Sequence, residues 1–248
     1  MIFLKLILMF TIVSVGIAQS TKTGPLLVDS VERPGGDHLL AILDALAVEV
    51  FNNSKSASMI VVLYGGLNPV ENKFYERFVK SHLKKRRLDP ARYTIATAIG
   101  NQKLRIDLWK SADGTKPTVT NKNFDYFLPK TGDPILFISE SVEVVKIDGE
   151  RTFLESCANS VCISILDTDL LSKFLEANPN YEARLEIYNK KKKHAEKLGQ
   201  LIIDGRHGKA GIPLHRVKIE YGGRNFMSNS ELTEMFDIKV WLIPRSNR

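Results

Sequence analysis

Two hydrophobic periods alternate along this chain, and the elements follow from where one gives way to the other. Leu39, Leu40, Leu43, Leu46, Ala47, Val50 and Phe51 recur at three- and four-residue spacing, the period of a helix with one apolar face, and Asp37 is placed to cap it. Leu26 to Val31, ahead of the breaker cluster Pro34-Gly35-Gly36, reads as a strand and a turn before that helix. Met59 to Tyr64 is an unbroken β-rich run, the pattern of a strand covered on both faces. Asn68-Pro69-Val70-Glu71 then supplies a cap residue, a proline at the first helical position and an acid in the first turn. This predicts a second helix with Phe74, Phe78 and Leu83 facing inward. Leu88-Asp89-Pro90 stops it, and Tyr93 to Ala98 and Lys103 to Trp109 alternate as paired strands joined around Gly100-Asn101.

The same succession recurs further on. Ile135 to Ile147 has strand character, and Ile165, Leu166, Leu170, Leu171, Phe174 and Leu175 form one helical face. Ala183 to Tyr188 is the next strand, and a basic helix begins near Asn189 and runs through Lys190, Lys191, Lys192 and Lys193. His215 to Tyr221 and Asp237 to Ile243 close the set. Landmarks keep their spacing: Ile42-Leu43-Asp44 answers Ile165-Leu166-Asp167 at an offset of 123 (167 minus 44), and Tyr64 answers Tyr188 at 124. Pro90 answers Pro213 at 123, and Trp109 answers Trp241 at 132, which places about nine extra residues in the last loop of the second copy. The expected fold is α/β (α+β): two tandem β-α-β-α-β-β modules, each a small mixed sheet with its helices packed on one face.

Residues 19–110 make the first module, 135–248 the second, and 111–134 a turn-rich linker containing Pro117, Pro129 and Pro134. Phe124, Tyr126 and Phe127 inside it imply a segment that lies against a domain. Residues 1–18 read as a signal peptide: Lys5, an apolar run from Leu6 to Val15, and Gly16-Ile17-Ala18 with cleavage after Ala18. That run is shorter than the roughly 20 residues a membrane-spanning helix needs. The expected location is therefore secreted or periplasmic.

Charge adds a direction. The formal net charge is +7, or +6 once Lys5 leaves (7 minus 1), which favours an anionic polymer or membrane surface as partner; nothing calls for nucleic acid. Lys80, Lys84, Lys85, Arg86 and Arg87 gather at the end of the second helix, where cations also suit the helix dipole. Gly65-Gly66 before Asn68 is a weak phosphate-cradle pattern. Cys157 and Cys162 are bridgeable if Ala158-Asn159-Ser160 is a turn, and remain two thiols if the helix is continuous.

The order of elements, with the turn Arg87-Leu88-Asp89-Pro90-Ala91-Arg92-Tyr93, resembles the OmpA-like C-terminal domain and its Gly-Val-Asp-Pro-x-Arg-Ile turn; Gly211-Ile212-Pro213-Leu214-His215-Arg216-Val217 is a looser version. The resemblance implies an envelope module that associates with peptidoglycan through an Asp after the second strand and an Arg on the following helix. Here that loop reads Tyr64-Gly65-Gly66-Leu67-Asn68, without an acid, and Arg77 lies two residues, about 200° of helix, from the family's position.

No G-x-S-x-G, H-E-x-x-H, C-x-x-C or Walker pattern occurs, and no cofactor or metal is expected. The favoured reading is an exported, non-catalytic envelope protein that binds or scaffolds, with a possible protein partner. Its weak candidate ligand contacts are Gly65, Gly66, Asn68, Arg77, Lys84, Arg87 and Lys190 to Lys193. The alternative is a secreted hydrolase with its site in the cleft between the modules.

Overall fold

The computed structural model describes residues 24–53, 56–129, 132–147, 150–153, 168–203, 214–225 and 233–245. The proposed signal peptide, both cysteines, the Ile165-Leu166-Asp167 landmark and Pro213 lie outside them.

The chain folds α+β around two mixed sheets. The first module runs β1 (Leu26–Glu32), α1 (Gly36–Asn53), β2 (Ser58–Gly65), α2 (Pro69–Lys85), β3 (Tyr93–Ile99) and β4 (Arg105–Ser111). The second runs β5 (Ile135–Ile147), β6 (Glu150–Phe153), α3 (Thr168–Ala177), β7 (Tyr181–Tyr188), α4 (Lys192–Ile203), β8 (Val217–Gly223) and β9 (Thr233–Pro244). A single 3₁₀ turn precedes β3 (Pro90–Arg92) and another precedes β8 (Leu214–Arg216). Sheet order is β1-β4-β2-β3 in the first module and β6-β5-β9-β7-β8 in the second. Apart from β6, which the hydrophobic pattern did not single out, the two orders are the same.

The pairing corrects one expectation. β3 and β4 are not a hairpin; each pairs with β2, β3 parallel and β4 antiparallel. β2 consequently has a partner on both edges, which is what a strand of five consecutive buried residues requires. The chain must therefore cross over the end of β2 between Ile99 and Arg105.

Register shows how closely the modules correspond. Met59 pairs with Tyr93 and Ala183 with Val217, so both strands of the parallel pair are displaced by 124 (183 minus 59, 217 minus 93). Trp109 lies opposite Ile60 and Trp241 opposite Arg184, an offset of 132 for the last strand. The second module's closing loop is accordingly eight residues longer (132 minus 124), one fewer than the landmarks gave. Even the bulge recurs: the ladder slips between Leu27 and Asp29 opposite Trp109 and Leu108, and between Leu136 and Ile138 opposite Trp241 and Val240.

One arginine performs the same task in each module. Arg92 donates from Nε to the Ala57 carbonyl at 3.2 Å and from Nη2 to the Val50 carbonyl at 2.8 Å, tying the end of α1 to the start of β2. Arg216, 124 residues on, donates to the Leu175 carbonyl at 2.5 Å, to Tyr181 and to Asn178, tying α3 to β7. These carbonyls belong to a helix C-terminus, where no intrahelical donor exists, and to the connection into the next strand, as far as its first residue at Tyr181.

Two helix-side cores result. Leu39, Leu43, Val50, Met59, Val61, Leu63, Val79, Leu83, Ile106 and Leu108 are buried together in the first. Leu171, Phe174, Leu185, Ile187, Leu198, Phe236, Ile238 and Val240 are buried in the second. The second core also takes in Val70, with Phe74 packed against it, so α2 is shared. Val79 and Leu83 face its own sheet, whereas Val70 and Phe74 point nearly opposite and meet the other module. The expectation that Phe74 faces its own core is thus corrected; an i, i+4 pair beside a second apolar stripe makes two faces, not one broad one.

The segment after β4 likewise serves both modules. Ile99 donates to the Thr120 carbonyl and Lys122 to the Thr97 carbonyl, closing the outer edge of β3, and Val119, like Trp109, packs against the cluster of Ile60, Val62 and Ala98 on the sheet face away from the helices. Farther on, Leu128 N–H donates to Asn178 Oδ1 at 2.9 Å, and Tyr181 hydroxyl to the Pro129 carbonyl at 2.6 Å. Residues 112–129 are a strap over both modules.

Candidate functional site

Two features could meet a partner, and they lie at opposite ends of α2. The first is the crossing at the C-terminal end of β2. Here the Gly65-Gly66 loop and the Ile99–Asn101 loop pass in contact: a Cβ on Gly66 would lie 2.6 Å from the Leu104 nitrogen, and one on Gly100 would lie 2.8 Å from the Tyr64 carbonyl carbon. Neither glycine has positive φ, so their absence of a side chain serves close approach, not a turn. Asn72, one turn into α2, locks the loop by accepting from Gly66 N–H at 2.8 Å and donating to its carbonyl at 2.9 Å. Asn68 caps the helix, accepting from Val70 and Glu71 N–H at 3.0 and 3.3 Å. All three predicted residues of this loop are therefore occupied in building it.

Two open cavities flank the crossing. One of about 530 Å³ is lined by Glu32, Tyr64, Gln102, Lys103 and Arg105, with the Arg105 guanidinium stacked 4.2 Å from the Tyr64 ring centre. The other, about 430 Å³, is rimmed by Leu67, Ile99 and Phe127, among the most exposed large apolar side chains described. Asn72, Lys122 and Asp125 also line it. These linings offer amides, apolar surface and a few charges of both signs, a chemistry suited to holding a ligand.

The second feature is the basic end of α2, whose cations are sorted. Arg86 and His82 both hold Asp44 on α1, His82 Nε2 at 2.7 Å, and Lys80 and Lys73 hold Glu76. Burial works to raise the carboxyl pKa of Asp44, but the hydrogen bonds from Arg86 and His82 outweigh it and hold it below its ordinary value; Lys80 and Lys73 do the same for half-buried Glu76. Lys84, Lys85 and Arg87 are exposed, with no acidic partner among the described residues.

Arg87 is also conformationally unusual. The helix ends in a Schellman motif, Arg87 N–H donating to the Lys84 carbonyl at 3.0 Å and Leu88 N–H to the Leu83 carbonyl at 3.4 Å, which places Arg87 at the left-handed position with φ of 53°. Glycine is the residue that position prefers. Among the described residues Arg33, at φ of 41°, is the other non-glycine with positive φ, but its guanidinium is anchored 3.0 Å from Glu71.

The remaining predicted residues fall elsewhere. Arg77 donates to Asp169 on α3 at 2.5 Å, across the junction of the modules, beside Lys173. Phe74, Tyr126 and Phe174 fill the apolar part of that junction, Tyr126 and Phe174 edge to face at 5.2 Å. α4 begins at Lys192, so Lys190 and Lys191 belong to the loop before it, which Asn189 caps by accepting from Lys191 N–H at 2.8 Å. The lysine run thus sits at a helix N-terminus and the basic cluster of α2 at a C-terminus, so the modules do not present equivalent cationic ends. Sequence reasoning missed Asn72 and Gly100. A glycine in each of two loops separated by a helix and a strand, with an amide a turn into that helix, is the pattern that would have found them.

Comparison of the chain with protein-family models, with curated protein sequences and with solved structures gives no match.

Proposed function

We propose that this chain is an exported, non-catalytic binding or scaffolding protein of the cell envelope, whose contact with an anionic partner is made by Lys84, Lys85 and Arg87. The observation that carries this reading is Arg87. A left-handed backbone costs a side-chain-bearing residue about 1 kcal/mol, and glycine would remove that cost. An arginine held there, next to two more cations without acidic partners among the described residues, makes sense where its charge has a use outside the chain. Such a patch concentrates an anionic polymer or lipid surface, and its attraction weakens with salt.

The test is co-sedimentation of the purified protein with isolated sacculi, and separately with vesicles containing anionic lipid, at low and high salt. Retention should be salt-sensitive and fall at least several-fold in Lys84→Ala/Lys85→Ala/Arg87→Gly. Arg87→Gly alone should bind less while unfolding at higher denaturant, gaining about 1 kcal/mol. Salt-insensitive retention, or none on either surface, overturns the reading.

A further inference from the structure

We propose that the outer edge of β8 is the interface between two copies of this chain. The first module shows how an edge of this kind is closed. Its equivalent strand, β3, receives Thr120 to Lys122 of its own strap. In the second module no described residue pairs with the far side of β8, which stands last in its sheet. Unpaired N–H and carbonyl groups along an exposed strand are a template for another strand.

The sequence of that strand selects a second copy as the occupant. Val217-Lys218-Ile219-Glu220-Tyr221 is self-complementary about Ile219. Brought together antiparallel about a two-fold axis through Ile219, Lys218 of each copy faces Glu220 of the other, and Val217 faces Tyr221. Both charges are available on the open face of the sheet, their side chains 62% and 48% exposed. The ladder behind them continues the pattern. Lys218 already holds Glu182 at 2.6 Å, and Glu220 lies 3.8 Å from Arg184. Pairing would align Glu182, Lys218, Glu220 and Arg184 as alternating charges over four strands, twice, related by the axis.

On the helix side, Val217, Ile219 and Tyr221 pack on the core but remain part-exposed at its margin, and a second copy would cover them with the same three residues. Such an interface is isologous. It is also small, a handful of residues on each side, so the dimer should depend on concentration.

Sedimentation velocity of the purified protein from micromolar to submillimolar concentration reads this directly. The wild type should shift toward the mass of two chains. Lys218→Glu and Glu220→Lys should each be monomeric, because like charges then face each other. Mixing these two variants should restore a dimer of one of each, and so should the double exchange Lys218→Glu/Glu220→Lys, which keeps complementarity. Circular dichroism checks that each variant is folded. Should one fail to fold, concentration-dependent slowing of hydrogen exchange at the outward amides of β8 in the wild type serves instead. A wild type that stays monomeric with β8 exchange independent of concentration overturns the proposal. So does a dimer that both single variants leave intact.

Discussion

The two sheets share an order, a register and a bulge, yet the faces they turn away from their helices are unlike. In the first, Ile60, Val62 and Ala98 lie buried beneath the strap. In the second, the corresponding positions of β7 are Arg184 and Glu186, and burial alternates strictly along the strand. The tryptophans show the consequence. Trp241 Nε1 donates to Glu186 at 3.0 Å, and Tyr188 hydroxyl to the same oxygen at 3.1 Å. Trp109, at the equivalent place, lies opposite Ile60 and beside Val62, and its buried Nε1 finds no acceptor among the described residues. One topology therefore tolerates a dry face or a charged one, and what decides is whether another segment covers it. A covered face admits charge only where it is paired, as at buried Asp107, which Ser30 and Arg105 hold, because an ion there loses its water; an open face uses charge to stay soluble and to avoid unwanted pairing.

Exchanging the two faces tests this most severely. Val62→Glu copies the second module into the first and should cost about 3 to 5 kcal/mol in denaturant unfolding, because the new carboxylate would be buried directly opposite Asp107, which already occupies Arg105. Trp109 could donate one hydrogen bond to it, but the arginine that serves Glu186 has Ile60 as its counterpart. The reverse change, Glu186→Val, should cost less, about 1 to 2 kcal/mol, since the Tyr188 and Trp241 side chains it abandons are part-exposed. Equal costs would mean that the strap does not keep the first face dry.

The two carbonyl-binding arginines give a smaller contrast. Arg216 is buried, and burial, with Arg245 nearby, pushes its pKa down; even so it serves three carbonyls. Arg216→Met should cost about 3 kcal/mol, because those carbonyls have little access to water. Arg92 is part-exposed, so water can replace it at the Val50 and Ala57 carbonyls, and Arg92→Met should cost about 1 to 2 kcal/mol, read from the same unfolding curves. If the first proved the milder, the equivalence of the two turns would be geometric only.

How much of this was legible beforehand differs by level. The helices and strands were, because Leu43 to Phe51 and Met59 to Tyr64 carry periods that a buried helix face and a doubly covered strand demand. The correspondence of modules was too, since Tyr64 with Tyr188 and Trp109 with Trp241 keep their positions in the antiparallel ladder, although the parallel ladder slips just before Tyr188. Strand order was not. Alternation in Tyr93 to Ala98 and Lys103 to Trp109 says each is a strand, but nothing local states that β2 lies between them; that depends on loop crossing and on Gly100. Phe74 was misplaced for a related reason, because a helix periodicity records apolar stripes without saying which neighbour each meets. The candidate site was legible in its cations and hidden in its geometry: φ at Arg87, and the pairing that removes Arg86 and Lys80 from use, exist only in the folded chain.

The gentlest probe is the tie between the two modules. Asp169 accepts from Arg77 across the junction and from Lys173 on its own helix, and these bonds, Arg77 first, hold its pKa below the ordinary value of 3.8. A carboxyl whose folded pKa is depressed contributes stability above its unfolded pKa and loses it as pH falls through the folded one. Wild type should therefore exceed Asp169→Asn in stability near neutral pH, and the two should converge as the pH drops below 3.8. Asp169 is nearly half exposed, so solvent screens the pair and the difference should be at most about 1 kcal/mol, shrinking further in high salt. Paired thermal melts across that pH range would resolve it. A gap unchanged by acid would place the junction's strength in Val70, Phe74 and Tyr126, making the contact between modules an apolar one with its ion pair incidental.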